Sequence, residues 1–210
     1  MDLFSKEPDL LSLRYQEVEK IASTCQKCQL AKGRKNVVFG HGPVPCDLML
    51  IGEGPGAEED EQGLPFVGRS GQLLTQILAS VGIKRPDDIY IANTVKCRPP
   101  ENRAPLATEQ EACRPYLEAQ IHFVKPKIIL LAGSPAVKAI LKSDEPITKI
   151  RGTWLKLPGT EISVMPLFHP AYLLRNPSKE KGKPKWLTWQ DVQEVKNALD
   201  YLKKVAELSK

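Results

Sequence analysis

Apolar positions recur along this chain in two alternating rhythms. Four short, almost unbroken apolar runs read as buried strands: Leu48 to Gly52, Ile89 to Val95, Lys127 to Ala132 and Ile162 to Phe168. Between them the apolar positions are spaced three and four apart. Residues 8 to 24 place Leu10, Leu11, Leu13, Val18 and Ile21 among acids and bases, and Ser70 to Val81 puts Leu73, Leu74, Ile77, Leu78 and Val81 on one face, with Gly82 as its C-cap. Thr108 to Val124 is a helix with Thr108 as N-cap and Glu111 three residues on, a short helix begins near Pro135, and Trp186 to Leu208 closes the chain as a long one. Val37 to Phe39 is expected as a short edge strand before the turn Gly40 to Pro45, and Ile150 to Leu157 as a further β excursion. Strands alternating with helices predict an α/β fold, a three-layer αβα sandwich around a four-stranded parallel sheet. No repeat, low-complexity tract or linker divides residues 1–210, which are expected to form one domain.

The stretch from Leu48 to Leu74 organises the rest. Its strand breaks into Gly52-Glu53-Gly54-Pro55-Gly56, four acids follow at Glu58 to Glu61, and a second glycine-flanked turn carries Pro65-Phe66-Val67 before the next helix. Loops after strands in α/β sheets are where ligands bind. The other strand ends carry Asn93, Ser134 and His169, so a parallel sheet brings Glu53 and these three to one edge. An acid at a strand tip and an aromatic in a tight turn describe a pocket for a flat, polar molecule.

Composition adds less. The chain is 41% hydrophobic with a net charge of +5, and its basic residues cluster at Lys27 to Lys35, Lys96 to Arg103 and Lys179 to Lys185. Such patches suit a phosphate backbone, and equally a solvated surface. No apolar run nears the ~20 residues of a membrane span, so no membrane association is expected. The start MDLFSKEPD lacks a basic n-region and an apolar h-region, so a cytoplasmic protein is expected.

Five cysteines in a reducing compartment argue against a disulfide framework. Cys25-x2-Cys28 is a chelating pair with basic neighbours, and Cys97 and Cys113 have fifteen residues between them, each being followed by an arginine. Four thiolates satisfy either zinc or a [4Fe–4S] cluster. One close pair with one wide pair leans towards iron–sulfur, since zinc ribbons use two close pairs. Cys46, just before the first core strand, is expected to be a small packing residue.

Taken in order, GEGPGAEED at 52–60, GLPFVGRSG at 63–71, NTVKCRPPENR at 93–103, LLAGSPA at 130–136 and HPAYLLR at 169–175 resemble the uracil-DNA glycosylase superfamily, specifically its family 4, the iron–sulfur group. With the cysteine spacing the resemblance spans residues 25 to 175. It implies a [4Fe–4S] cluster on Cys25, Cys28, Cys97 and Cys113, and hydrolytic release of uracil from single- or double-stranded DNA by a monomeric enzyme. Glu53 matches the acid of the first motif, Phe66 the stacking aromatic, Asn93 the amide that reads uracil and His169 the histidine of the second motif. Gly54 stands where the family accepts a small residue. Family 1 relatives carry an aspartate as water-activating acid; none stands between Gly52 and Glu59 here, so Glu53 either holds the water or stabilises the cationic sugar.

The chemistry accounts for these residue types. A base inside a duplex must be flipped out to be attacked, and Phe66 offers a face for it at roughly 1–3 kcal/mol per stacked base. The Asn93 amide complements uracil O4 and N3–H, and cytosine presents the reverse pattern. His169 is placed to hydrogen-bond O2 as negative charge develops there. Glu59 is the candidate for crowding C5, where thymine carries its methyl, braced by Asn102, and Ser134 supports the rim. Leu173, beside Tyr172 and Arg175 in what reads as an exposed turn, is expected to wedge into the gap an extruded base leaves. His41 and His122 lack such surroundings. Two other classes fit less well: a protein that traps uracil-DNA covalently, whose relatives carry a basic insertion absent before GQLLTQIL, and a P-loop protein, which would need a Lys-Ser/Thr pair after the glycines.

Overall fold

The computed structural model describes residues 9–208, so the first position of the helix expected from residue 8, and most of the N-terminal stretch read for a leader, lie outside the described residues. That first helix is shorter than its apolar spacing predicts. Asp9 caps a separate 3-10 turn at Leu10–Ser12 through its side chain, and α1 (Tyr15–Ser23) starts afresh where the Glu17 carboxylate accepts the Arg14 N–H. Two caps in close succession divide the segment.

The sheet is built from β1 (Leu48–Gly52), β2 (Tyr90–Asn93), β3 (Ile128–Ala132), the two-residue β4 (Leu155–Lys156) and β5 (Ser163–Leu167), in the order β2-β1-β3-β5-β4. The helices between and after them are α2 (Ala57–Gln62), α3 (Arg69–Ala79), α4 (Ala107–Val124), α5 (Ser134–Leu141), α6 (Ile147–Ile150), α7 (Pro170–Arg175) and α8 (Pro184–Leu208). Four strands are parallel as expected. The fifth, β4, is antiparallel to β5 and exposed, and it is all that the excursion over 150–157 contributes to the sheet. Val37–Phe39 forms no strand: Val38 N–H reaches Lys96 O at 2.8 Å, and pairing with β2 is limited to a single bridge at His41.

Successive side chains of a strand point to opposite faces. Leu48 and Leu50 therefore pack with α3 and α8, through Leu74, Leu78, Val192 and Val195, while Met49 and Ile51 pack with α4 and α5, through Leu117, Val124, Ala136 and Val137. Both faces being covered explains why these runs are apolar throughout rather than alternating. A third cluster joins α1 to α4 and contains Cys97 and Cys113. The α4 start differs from expectation: the helix begins at Ala107, and Glu109, not Glu111, reaches back to the Leu106 N–H at 2.8 Å.

Candidate active site

The β1–β2 register pairs Gly52 with Asn93, and the β3–β5 register pairs Ala132 with Leu167. Glu53, Asn93, Ser134 and His169 therefore stand at neighbouring strand ends along one carboxyl edge. Gly133, at φ +87°, lets the β3 tip approach β5 so closely that a Cβ there would lie 3.0 Å from His169 Cβ. Above this edge opens a cleft of about 660 Å³, lined among others by Glu53, Gly54, Asn102, Ser134, His169 and Arg175.

Gly52 is where the site closes up. A Cβ on it would lie 2.7 and 2.8 Å from the Phe66 ring and closer still to Asn93 Oδ1. The Phe66 and His169 rings are 5.9 Å apart between centroids, tilted by 36°. Carboxamide and phenyl thus converge on one backbone position, with the imidazole next to the phenyl. Asn93 is 1% exposed, and its Oδ1 has no hydrogen-bond partner among the described residues. A buried, unpaired acceptor costs about 1–3 kcal/mol, a cost that a donor N–H reaching it would remove.

His169 Nδ1 accepts the Ala171 N–H at 3.1 Å, so the neutral ring carries its proton on Nε2. Burial pulls its pKa down to about 4, the Arg175 charge assists, and Glu59 opposes. At neutral pH the site holds an uncharged imidazole that donates from Nε2. Glu53 is half-buried, and burial raises its carboxyl above the usual range. Its main-chain oxygen is fixed by Thr94 Oγ1 at 2.5 Å and Val95 N–H at 3.3 Å. At Gly54 a Cβ would come within 2.9 Å of Val95 Cγ2, a physical reason for the small residue.

The turn that presents Phe66 is gripped from two sides. Phe66 has φ +53°, the left-handed region that L side chains adopt only under constraint. Arg85 donates to Pro65 O and Phe66 O, both at 2.8 Å, and to Thr75 Oγ1 at 3.0 Å. On the other side Glu59 Oε1 accepts Val67 N–H and Gly68 N–H, both at 2.9 Å, and Oε2 accepts Gly56 N–H at 3.1 Å. Gly71 packs so tightly beneath that a Cβ would overlap the Phe66 carbonyl. Nothing in the sequence marks Arg85, whose role follows only from the tertiary approach of its loop.

Three expected positions change. Glu59, expected to crowd C5, has both oxygens committed to main-chain N–H groups that lock the two glycine-rich turns together. Asn102, expected to brace Glu59, instead accepts from Arg98 Nε at 2.8 Å. Leu173 is 0% exposed, on the inward face of α7, and cannot be the surface wedge; helix formation turns it into the core and leaves Arg175 exposed.

A second cavity lies between the end of α1 and α4. Cys25, Cys28, Cys97 and Cys113 all line it, with Lys27, Arg34, Lys96 and Tyr116. Lys27 N–H points at Cys25 Sγ (3.5 Å), Arg34 Nη1 at Cys97 Sγ (3.3 Å) and Lys96 N–H at Cys113 Sγ (3.3 Å). Burial pushes the Cys97 and Cys113 thiols up, the latter to about 11. Among the described residues no three His, Cys, Asp or Glu side chains gather as closely as one metal ion requires. Cys46 is absent from this cavity; it is half-buried and its Sγ donates to Leu48 O at 3.2 Å.

The model of the uracil DNA glycosylase superfamily matches residues 39–193. The chain is 41% identical over 196 residues to a type-4 uracil-DNA glycosylase of Thermotoga maritima, covering 93% of this chain and 97% of that protein. It is 43% identical over 199 residues to the type-4 enzyme of Saccharolobus solfataricus (91% and 87% covered) and 41% identical over 169 residues to that of Pyrobaculum aerophilum (78% and 86%).

Proposed function

This chain belongs to the uracil DNA glycosylase superfamily, and from that premise we propose that its cleft takes a deoxyuridine flipped out of DNA and releases uracil by hydrolysis. The observation that carries this reading is the unpaired Asn93 Oδ1, buried close to the Phe66 ring, whose centre lies 5.9 Å from that of the His169 ring. Incubating the protein with a uracil-containing oligonucleotide and then with alkali tests it: strand cleavage at the uracil is expected, and intact strands would overturn it.

The flipped base stacks on Phe66. Asn93 Oδ1 accepts uracil N3–H and the amide nitrogen donates to O4. Cytosine, an acceptor at N3 and a donor at C4, meets like against like. As the N1–C1′ bond breaks, its electrons pass into the pyrimidine ring and charge grows on O2, where His169 Nε2–H donates. Being neutral, the imidazole gives this hydrogen bond without surrendering its proton, the arrangement in which a preorganised donor contributes most. Water adds to C1′, and its departing proton is taken up by the released uracilate or by solvent. Glu53 faces the sugar and acts as the carboxylate, holding the water or offsetting the positive ring.

That role predicts an acid limb. Activity requires ionised Glu53, so it should fall as pH drops through a carboxyl pKa raised by burial. Glu53→Gln should lower the rate at neutral pH and flatten that limb, as a pH profile of single-turnover rates would record. His169, neutral above about 4, contributes nothing to the limb.

Arg175 and Ser134, on the cleft wall, are proposed to meet backbone phosphates, with Arg103, itself paired to Glu109 at 2.7 Å, beside them. Single- and double-stranded DNA are both expected substrates.

We assign the cysteine-lined cavity to a [4Fe–4S] cluster held by Cys25, Cys28, Cys97 and Cys113. Three N–H donors aimed at sulfur suit anionic thiolates. One close cysteine pair with one wide pair suits a [4Fe–4S] cluster better than zinc, and all four residues line the same cavity. The cluster's contribution is structural, ordering the loops that carry Cys25 and Cys97. Purified protein should be brown, absorb near 400 nm and contain about four irons per chain; a colourless protein with one zinc would reverse the assignment. No described helix is long and apolar enough to cross a membrane. We take the whole chain to be one catalytic domain and a cytoplasmic monomer, where reducing conditions keep the thiols available.

A further inference from the structure

Lys96 is 2% exposed, an uncommon place for an ammonium group, and the mechanism above makes no use of it. Its side chain folds back over the end of β2. Nζ donates to Asn93 O at 2.7 Å and to Gln120 Oε1, and lies 5.9 Å from the centre of the Phe39 ring. Those partners are themselves tied down. Gln120 Nε2 donates to Phe39 O at 2.7 Å and to Tyr90 Oη at 2.8 Å, and the Tyr90 and Tyr15 hydroxyls share a hydrogen bond of 2.8 Å. The network thus draws on α1, β2 and α4. At its main chain the same residue donates to Cys113 Sγ and precedes Cys97.

Burying an ammonium costs several kcal/mol unless oxygens or a π face replace its water. Here two oxygens and one ring do so, and one of those oxygens belongs to the residue whose carboxamide must not turn. We propose that Lys96 is a positioning residue for base recognition: it anchors the Asn93 main chain, fixes the direction of the carboxamide, and couples that carboxamide to the cysteine-lined cavity through Cys113. The inference rests on the reading of Asn93 as the group that accepts uracil N3–H. A lysine that served stability alone would lower the melting temperature without altering which base is preferred.

The probe is a pair of free bases, uracil and 3-methyluracil, the second lacking the N3–H. Their dissociation constants are measured by calorimetry on the iron-loaded protein, with iron content and absorbance near 400 nm recorded alongside. Wild type should prefer uracil by more than about tenfold, the worth of one such hydrogen bond. In Lys96→Met the preference should collapse at least tenfold towards unity while iron content is unchanged. A preference within twofold of wild type in an iron-replete Lys96→Met protein overturns the inference. If that variant fails to fold or loses iron, Gln120→Met, which removes one Nζ acceptor and leaves the lysine, should lower the preference about threefold, and an unchanged preference overturns the inference equally. A wild-type protein indifferent to the methyl group would instead overturn the Asn93 reading, and the inference with it.

Discussion

Asn93→Asp should cost about 10³–10⁴-fold in kcat/KM on uracil and leave cytosine the better of two poor substrates. The carboxylate keeps an acceptor for N3–H but sets a second acceptor against O4, where the amide had donated. Asn93 is 1% exposed, so no water relieves the repulsion. Sites built to hydrogen-bond a polar group discriminate by factors of this size because the mismatch leaves buried groups unpaired. A protonated aspartic acid, a donor and an acceptor on one group, can meet the cytosine edge. Excision rates on oligonucleotides matched except for uracil or cytosine measure the change; an Asp variant as fast on uracil as wild type would remove Asn93 from base recognition.

His169→Ala should lower kcat about 10²–10³-fold with KM changed much less. The donor acts on charge present in the transition state and barely in the bound base, so its loss appears in turnover. Because the Nδ1 side is occupied by the Ala171 N–H and the pKa lies near 4, the missing element is one fixed Nε2–H, not a proton source. The variant should therefore keep the wild-type pH profile at a reduced rate. Single-turnover rates across pH 5 to 9 test both statements, and a rate loss confined to one pH region would assign His169 to acid–base work instead.

Where local signal and tertiary demand coincide, the sequence was a reliable guide. The apolar runs at Leu48 and Ile128 are strands because both sheet faces are covered, and strand-end residues more than a hundred positions apart meet at one rim because parallel strands end on the same side. Leu173 was misleading, because HPAYLLR looks like an exposed turn until Pro170 is seen to start a helix whose inner face takes the leucine. Glu59 was ambiguous within a run of four acids, and only the approach of the Val67 and Gly68 amides distinguishes it. Arg85 carries no local signal, and Lys96 reads only as the start of a basic cluster although it is buried: each is held in part by main-chain carbonyls, which no side-chain motif can encode.

The turn carrying Phe66 has a consequence for how damaged DNA is met. With a guanidinium on its carbonyls and a carboxylate on its amides, this turn is held without any nucleotide, so a base stacking on Phe66 as proposed would need no induced fit. The energetic cost of eversion then falls on the DNA alone, and lesions that already sit loosely in the helix, such as uracil opposite guanine, should be captured sooner than uracil opposite adenine.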